Sequence, residues 1–75
     1  EYLAEREEVQ KEIVKALKKL PDKEQQVLIL YYYDELTLKE IGKVLDVSES
    51  RVSQLHTKAI QGLRYSLSEI KKALL

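Results

Sequence analysis

No cysteine occurs in this chain, nor any methionine, tryptophan or phenylalanine; proline and histidine appear once each and glycine twice. Without cysteine there is no disulfide framework, no thiolate metal site and no thiol nucleophile. The lone His56 has no second ligand candidate at metal-binding spacing and no nucleophile in an evident pairing. No phosphate-cradling glycine loop and no paired-carboxylate pattern is present, so neither an enzyme, a metal nor a cofactor is expected. No apolar run approaches the ~20 residues of a membrane span, and no signal peptide is visible. A soluble cytoplasmic protein without a small-molecule substrate is therefore expected. The missing initiator methionine suits a piece of a longer protein. At 75 residues it makes at most one small domain, with a core so marginal that each apolar stripe needs a partner.

What is present is charge and helical period. Charged residues make up 35% of the chain and cancel to zero, but unevenly. Glu1 to Leu36 carries six basic and nine acidic residues, a balance of −3; Thr37 onward carries seven and four, a balance of +3. A basic rear half fits a polyanion partner for that half alone. Val9, Ile13, Ala16, Leu17 and Leu20 recur at helical spacing, which predicts a leading amphipathic helix over 1–20, ended by Leu20-Pro21. Asp22 is placed to cap a second helix reaching Tyr33, with Gln25 in capping-box position. Thr37-Leu38-Lys39-Glu40 reads as another capping box, with Leu36 and Ile41 as its hydrophobic staple, opening a third helix from Leu38 to Leu45. Ser48 then caps a fourth, whose inner face is Val52, Leu55, Ala59, Ile60, Leu63 and Leu67. Gly62 interrupts it at a cost of ~1 kcal/mol against alanine, a weak point or a close contact. The fold class expected is all-α: a small domain of about four helices.

The third helix is little more than two turns long, and the fourth starts three residues later. Gly42, mid-helix, suits a crossing too close for a side chain. Asp46 at the turn tolerates the left-handed conformation. With Ile41, Leu45, Val47, Val52 and Leu55 as locking positions, this is a helix-turn-helix pattern, whose second helix offers its outer face to a DNA major groove. An ordinary helical hairpin would also use small residues at the crossing. The outer face separates the two readings: Glu49, Ser50, Arg51, Ser53, Gln54, His56, Thr57 and Lys58 are all able to read a base edge or hold a phosphate. Arg can bond guanine twice, Gln can do so with adenine, and Glu can accept from the cytosine amine. Serine and threonine are poor choices for a merely solvated helix face.

From Leu20 to about Arg64 the string "LPDKEQQVLILYYYDELTLKEIGKVLDVSESRVSQLHTKAIQGLR" resembles region 4 of bacterial RNA polymerase sigma factors. The Leu-Pro start, the aromatic end of the second helix, Leu-x-x-Ile-Gly and Val-Ser-x-x-Arg-Val-x-Gln carry the likeness. "YYYDELTLKEIG" and "ESRVSQLH" look most like the flagellar and motility type. Asp46 departs from the glycine many members carry. The resemblance implies a region 4 core over 22–64 within a domain spanning 1–75, with a helical extension over 65–75. It implies a domain that binds the promoter element near position minus 35. Glu49, Ser50, Arg51, Ser53, Gln54 and Thr57 would then face bases and backbone, with Lys58 and Lys39 on phosphates. It also implies promoter DNA, the β-subunit flap of the polymerase core and an anti-sigma factor as partners.

"VLILYYY", Val27 to Tyr33, is apolar all round, and a helix in so small a domain buries one face. Either the leading helix covers the rest, or Ile29, Tyr32 and Tyr33 form a patch for the polymerase. In the C-terminal stretch, Leu67, Ile70 and Leu74 share one stripe. Two other readings compete: an effector domain of two-component or quorum-sensing regulators, which usually carries glycine between the helices, and a helical protein-interaction module that never touches DNA.

Overall fold

A computed structural model describes the backbone of residues 2–74 and the side chains of residues 7–69. Four α-helices follow one another: α1 (Tyr2–Lys18), α2 (Asp22–Leu28), α3 (Leu38–Leu45) and α4 (Glu49–Leu74), with a π-helical segment (Ile29–Tyr33) continuing α2. The all-α expectation holds, and the helix-turn-helix lies where the spacing puts it.

How the helices end decides how they meet. The amides of Lys19 and Leu20 close back on Ala16 and Leu17 at 3.2 and 3.1 Å, tightening the last turn of α1. Pro21, which has no N–H to lose, then occupies the N-cap of α2. This corrects the expected capping box at Asp22: Asp22 is the first helical residue, and no side chain caps α2. Gln25 serves the neighbouring helix instead, its Nε2 donating to the Leu20 carbonyl at 2.8 Å and the Lys18 carbonyl at 3.3 Å. The orphan carbonyls at the end of α1 are thus satisfied by a side chain from α2, which fixes the corner.

The second helix reaches Tyr33 as the spacing suggests, but not as one α-helix. Its last turn widens: Asp34 N–H donates to the Ile29 carbonyl at 3.1 Å and Leu36 N–H to Leu30 at 3.0 Å, five and six residues back. Glu35 turns the chain at φ 58°, the left-handed residue that ends many helices, here without glycine. The Thr37–Glu40 capping box forms as read, Glu40 N–H donating to Thr37 Oγ1 at 3.1 Å and Thr37 N–H to Glu40 Oε1 at 2.9 Å.

Two apolar clusters form the core, and no polar side chain is buried among the described residues. Val27, Ile41, Val52 and Leu55 knit α2, α3 and α4, with Leu30, Leu36, Leu38, Leu45 and Val47 around them. Leu20, Leu28 and Ala59 tie the α1 end to α2 and α4, flanked by Leu17, Ile60 and Leu63. Adjacent residues of α2, Val27 and Leu28, serve different clusters. Only the C-terminal part of the α1 stripe is used: Ala16 and Leu20 are buried, whereas Val9 and Ile13 are exposed. Leu67 is half-buried; Ile70 and Leu74 lie outside the described side chains. No break separates residues 64 and 65, so the C-terminal extension is the end of α4 itself. No helix among the described residues is long and apolar enough to cross a membrane.

Candidate nucleic-acid interface

The turn between α3 and α4 is built from three local devices. Asp46 adopts φ 57°, ψ 47° at the end of α3, and the Val47 amide returns to the Gly42 carbonyl at 2.9 Å, the five-residue closure of a Schellman motif. Ser48 Oγ accepts from the Arg51 amide at 3.1 Å and caps α4. Gly42 is buried, and a Cβ there would stand 2.8 Å from the Val47 carbonyl oxygen and 3.5 Å from the Glu49 nitrogen. The glycine is what lets the turn and the first residues of α4 lie against α3.

That junction, with Val52 and Leu55 turned inward, leaves the opposite side of α4 uncovered. Glu49, Ser50, Arg51, Ser53, Gln54, Thr57 and Lys58 are all exposed and share the first two and a half turns. Arg51 Nη1 donates to Gln54 Oε1 at 3.3 Å, and Thr57 Oγ1 donates to the Ser53 carbonyl at 3.1 Å. Thr57 thereby spends its hydroxyl proton on its own helix and keeps only acceptor capacity outward. Lys39 is also exposed, on the first turn of α3 rather than on α4. The amides freed at the start of α4 give this end a partial positive charge.

His56 departs from the expectation that it faces DNA or solvent. It is half-buried, its Nε2 is 2.9 Å from the Tyr32 hydroxyl, and its ring packs at 5.1 and 5.6 Å from those of Tyr31 and Tyr32. Tyr31 lies edge-on to Tyr32 at 4.9 Å. The signal was in the period: His56 sits four residues after buried Val52 and three before buried Ala59, on the flank of the inner stripe. Tyr31, assigned no role from sequence, completes this cluster.

Beside it runs a second surface. Leu17, Leu28, Ile29, Tyr32, Tyr33, Ile60 and Leu63 line an open groove of about 660 Å³ between α1, the π segment and α4. The expectation that the leading helix covers "VLILYYY" is met in part. The end of α1 covers Leu28, but Ile29, Tyr32 and Tyr33 stay exposed, Tyr33 to 84%.

Comparison with known proteins bears on what this arrangement serves. Residues 16–65 match the family described as sigma-70, region 4. The chain belongs to that family. Region 4 is the DNA-binding part of a transcription factor, not an enzyme. Among relatives, the chain is 52% identical over 63 residues to RNA polymerase sigma factor FliA of Salmonella typhimurium, covering 84% of the chain and 26% of that protein. It is 52% identical over 67 residues to FliA of Pseudomonas aeruginosa (89% and 27%). It is 42% identical over 65 residues to RNA polymerase sigma-D factor of Bacillus subtilis (87% and 26%). The chain thus spans about a quarter of the length of the curated relatives it matches. The matched span of this region 4 contains both core clusters and the exposed polar residues from Glu49 to Lys58 of α4.

Proposed function

We propose that this chain is the promoter-reading end of a cytoplasmic sigma factor of the flagellar or motility type. It recognises the minus-35 element through α4 and docks on the polymerase core during transcription initiation. The observation that carries the reading is the bare polar face of α4, held outward by the buried Gly42 junction, where seven hydrogen-bonding side chains stand together with none covered. Arg51, Ser53 and Gln54 reach toward bases; Glu49, Ser50 and Thr57 flank them; Lys58 and Lys39 neutralise phosphates. Ile29, Tyr32 and Tyr33, lining the apolar groove, form the docking surface for the β-subunit flap, and an anti-sigma factor acts by occluding the domain. The same groove favours a second reading, a protein-interaction module without DNA contact.

Salt dependence separates the two. Affinity of the full-length factor, free and with core polymerase, is measured for a promoter duplex across a salt series. Log affinity is expected to fall linearly with log salt, at about 0.9 per phosphate neutralised, with Lys58→Ala shallower by about one contact. Affinity indifferent to salt removes the DNA reading and leaves the protein-interaction module.

A further inference from the structure

Tyr32 belongs to two surfaces at once. Its ring lines the apolar groove with Leu28, Ile29 and Tyr33, and the same ring stacks on the His56 imidazole at 5.6 Å and an interplanar angle of 29°. Its hydroxyl stands 2.9 Å from His56 Nε2. Tyr31 backs the pair, edge-on to Tyr32 at 4.9 Å and 5.1 Å from the imidazole. No residue of the π segment is buried; Leu30 leans on the first core cluster, and Tyr31 and Tyr32 carry the segment onto α4 at His56.

His56 in turn sits behind the polar face. On the helix surface its neighbours are Val52 and Ser53 on one side, Ala59 and Ile60 on the other. Val52 and Ala59 are buried and Ile60 lines the groove, so the open side is that of Ser53. Held by Tyr32, the imidazole is parked against the tyrosines. Released, it rotates freely beside Ser53, and a duplex meeting the polar face must order it again at the cost of its rotamer freedom. The hold is light, because Tyr32 is 58% exposed and an exposed hydrogen bond adds little.

A side chain seated in the groove packs on the Tyr32 ring only while that ring is in place, so it favours the held state over the released one. We propose that Tyr32 and His56 couple the two surfaces. Filling the groove keeps the imidazole ordered and off the polar face, which strengthens duplex binding, and duplex binding strengthens groove docking by the same factor. The inference rests on the readings of α4 as the DNA-contacting helix and of the groove as the polymerase docking surface, and adds that the two are not independent. Neither ligand can shift the pair by more than the contact contributes, which limits the effect to about 2- to 3-fold.

The test is a linkage cycle. Affinity for a duplex carrying the promoter upstream element is measured for the full-length factor, free and saturated with core polymerase. The unaltered protein, His56→Phe, Tyr32→Phe and the double variant are compared. The quantity read is the ratio of core-bound to free affinity, so each variant is its own reference and a uniform loss of duplex affinity cancels. Phenylalanine keeps a ring at both positions and removes the hydrogen bond. The ratio is expected to fall by about 2- to 3-fold in either single variant and no further in the double, because all three lose one shared contact. An unchanged or raised ratio in His56→Phe overturns the inference, as do losses that multiply in the double variant; in both cases the DNA reading stands. A factor that ignores the duplex both free and with core sinks the DNA reading and the inference with it. Circular dichroism of each variant checks that folding is unchanged.

Discussion

The two glycines offer a controlled experiment, because the same substitution meets a rigid obstacle at one and a yielding obstacle at the other. In Gly42→Ala the new methyl stands 2.8 Å from the Val47 carbonyl oxygen, with the Glu49 nitrogen and Ser48 carbon 3.5 and 3.6 Å away. All three belong to the backbone of the turn, and the contact lies well inside the roughly 3.5–4.0 Å at which carbon contacts are attractive. Relief requires α3 and α4 to part, an overpacking cost of about 2–3 kcal/mol. Alanine returns about 1 kcal/mol of helix propensity, which leaves a net loss of about 1–2 kcal/mol. In a domain this small that lowers Tm by roughly 4–16 °C. In Gly62→Ala the methyl meets only Leu20 Cδ2, at 2.7 Å. A terminal methyl can swing aside for about 0.5–1.5 kcal/mol, close to the propensity gain, so stability stays within about 0.5 kcal/mol of the parent. Thermal and urea unfolding followed by circular dichroism, with equal urea slopes as the check on two-state behaviour, measures both. Equal losses at the two sites, or a stable Gly42→Ala, would refute the argument that backbone crowding at the turn requires the glycine.

Other expectations follow from single contacts. Thr37→Ala removes the N-cap of α3 and should cost about 1 kcal/mol in urea unfolding. Glu40 is held below its ordinary value of 4.5, first by the Thr37 backbone hydrogen bond and then by the Thr37 side chain, with Lys43 adding a smaller pull. Because the folded-state value is depressed, the contribution is present above the ordinary value of 4.5 and is lost as pH falls through the folded value; Glu40→Gln should flatten the stability profile as pH falls below 4.5. Tyr32→Phe removes the hydroxyl bonded to His56; with Tyr32 58% exposed the loss should be about 0.5 kcal/mol, and a double-mutant cycle with His56→Ala should show coupling of that size. Ile41→Ala, at a fully buried site between α2 and α4, should cost about 2–5 kcal/mol, enough to leave so small a domain largely unfolded.

Much of this architecture was legible in the chain because the physics behind it is local. Thr37–Glu40, Ser48, Gly42 and Asp46 each answer to backbone groups within seven residues, so their chemistry can be read from spacing alone. Misreadings fell where a residue had two possible clients. Gln25 could close a capping box or reach across the Pro21 corner, and carbonyls stranded at the end of α1 drew it across. His56 could point out with its polar neighbours or in with its stripe, and which one depended on tyrosines 24 and 25 residues away. The widening of the Ile29–Tyr33 turn leaves no mark in hydrophobic period, since every residue there is apolar. Of the site, the exposed face of α4 followed from the inner stripe by subtraction. The Arg51–Gln54 contact did not, because positions three apart can meet on a helix surface without being obliged to.

The placement of the exposed face depends on α4 being one unbroken helix. Its first turns carry the polar residues outward and Val52 and Leu55 inward to the cluster shared with α2 and α3; two turns on, Ala59 enters the cluster shared with α1 and α2. A helix clamped at Val52 and Leu55 alone could still roll about its axis, since one patch of apolar contact resists translation better than rotation. The second clamp at Ala59, set beside Leu20 and Leu28, removes that freedom and fixes which side of Arg51 and Gln54 faces out. Gly62 allows Leu20 to approach α4 this closely, so the glycine farthest from the polar face still helps to aim it. Bulk added on the Leu20 side of α4 should therefore alter base preference more than it alters overall affinity, whereas loss of Lys58 should do the reverse.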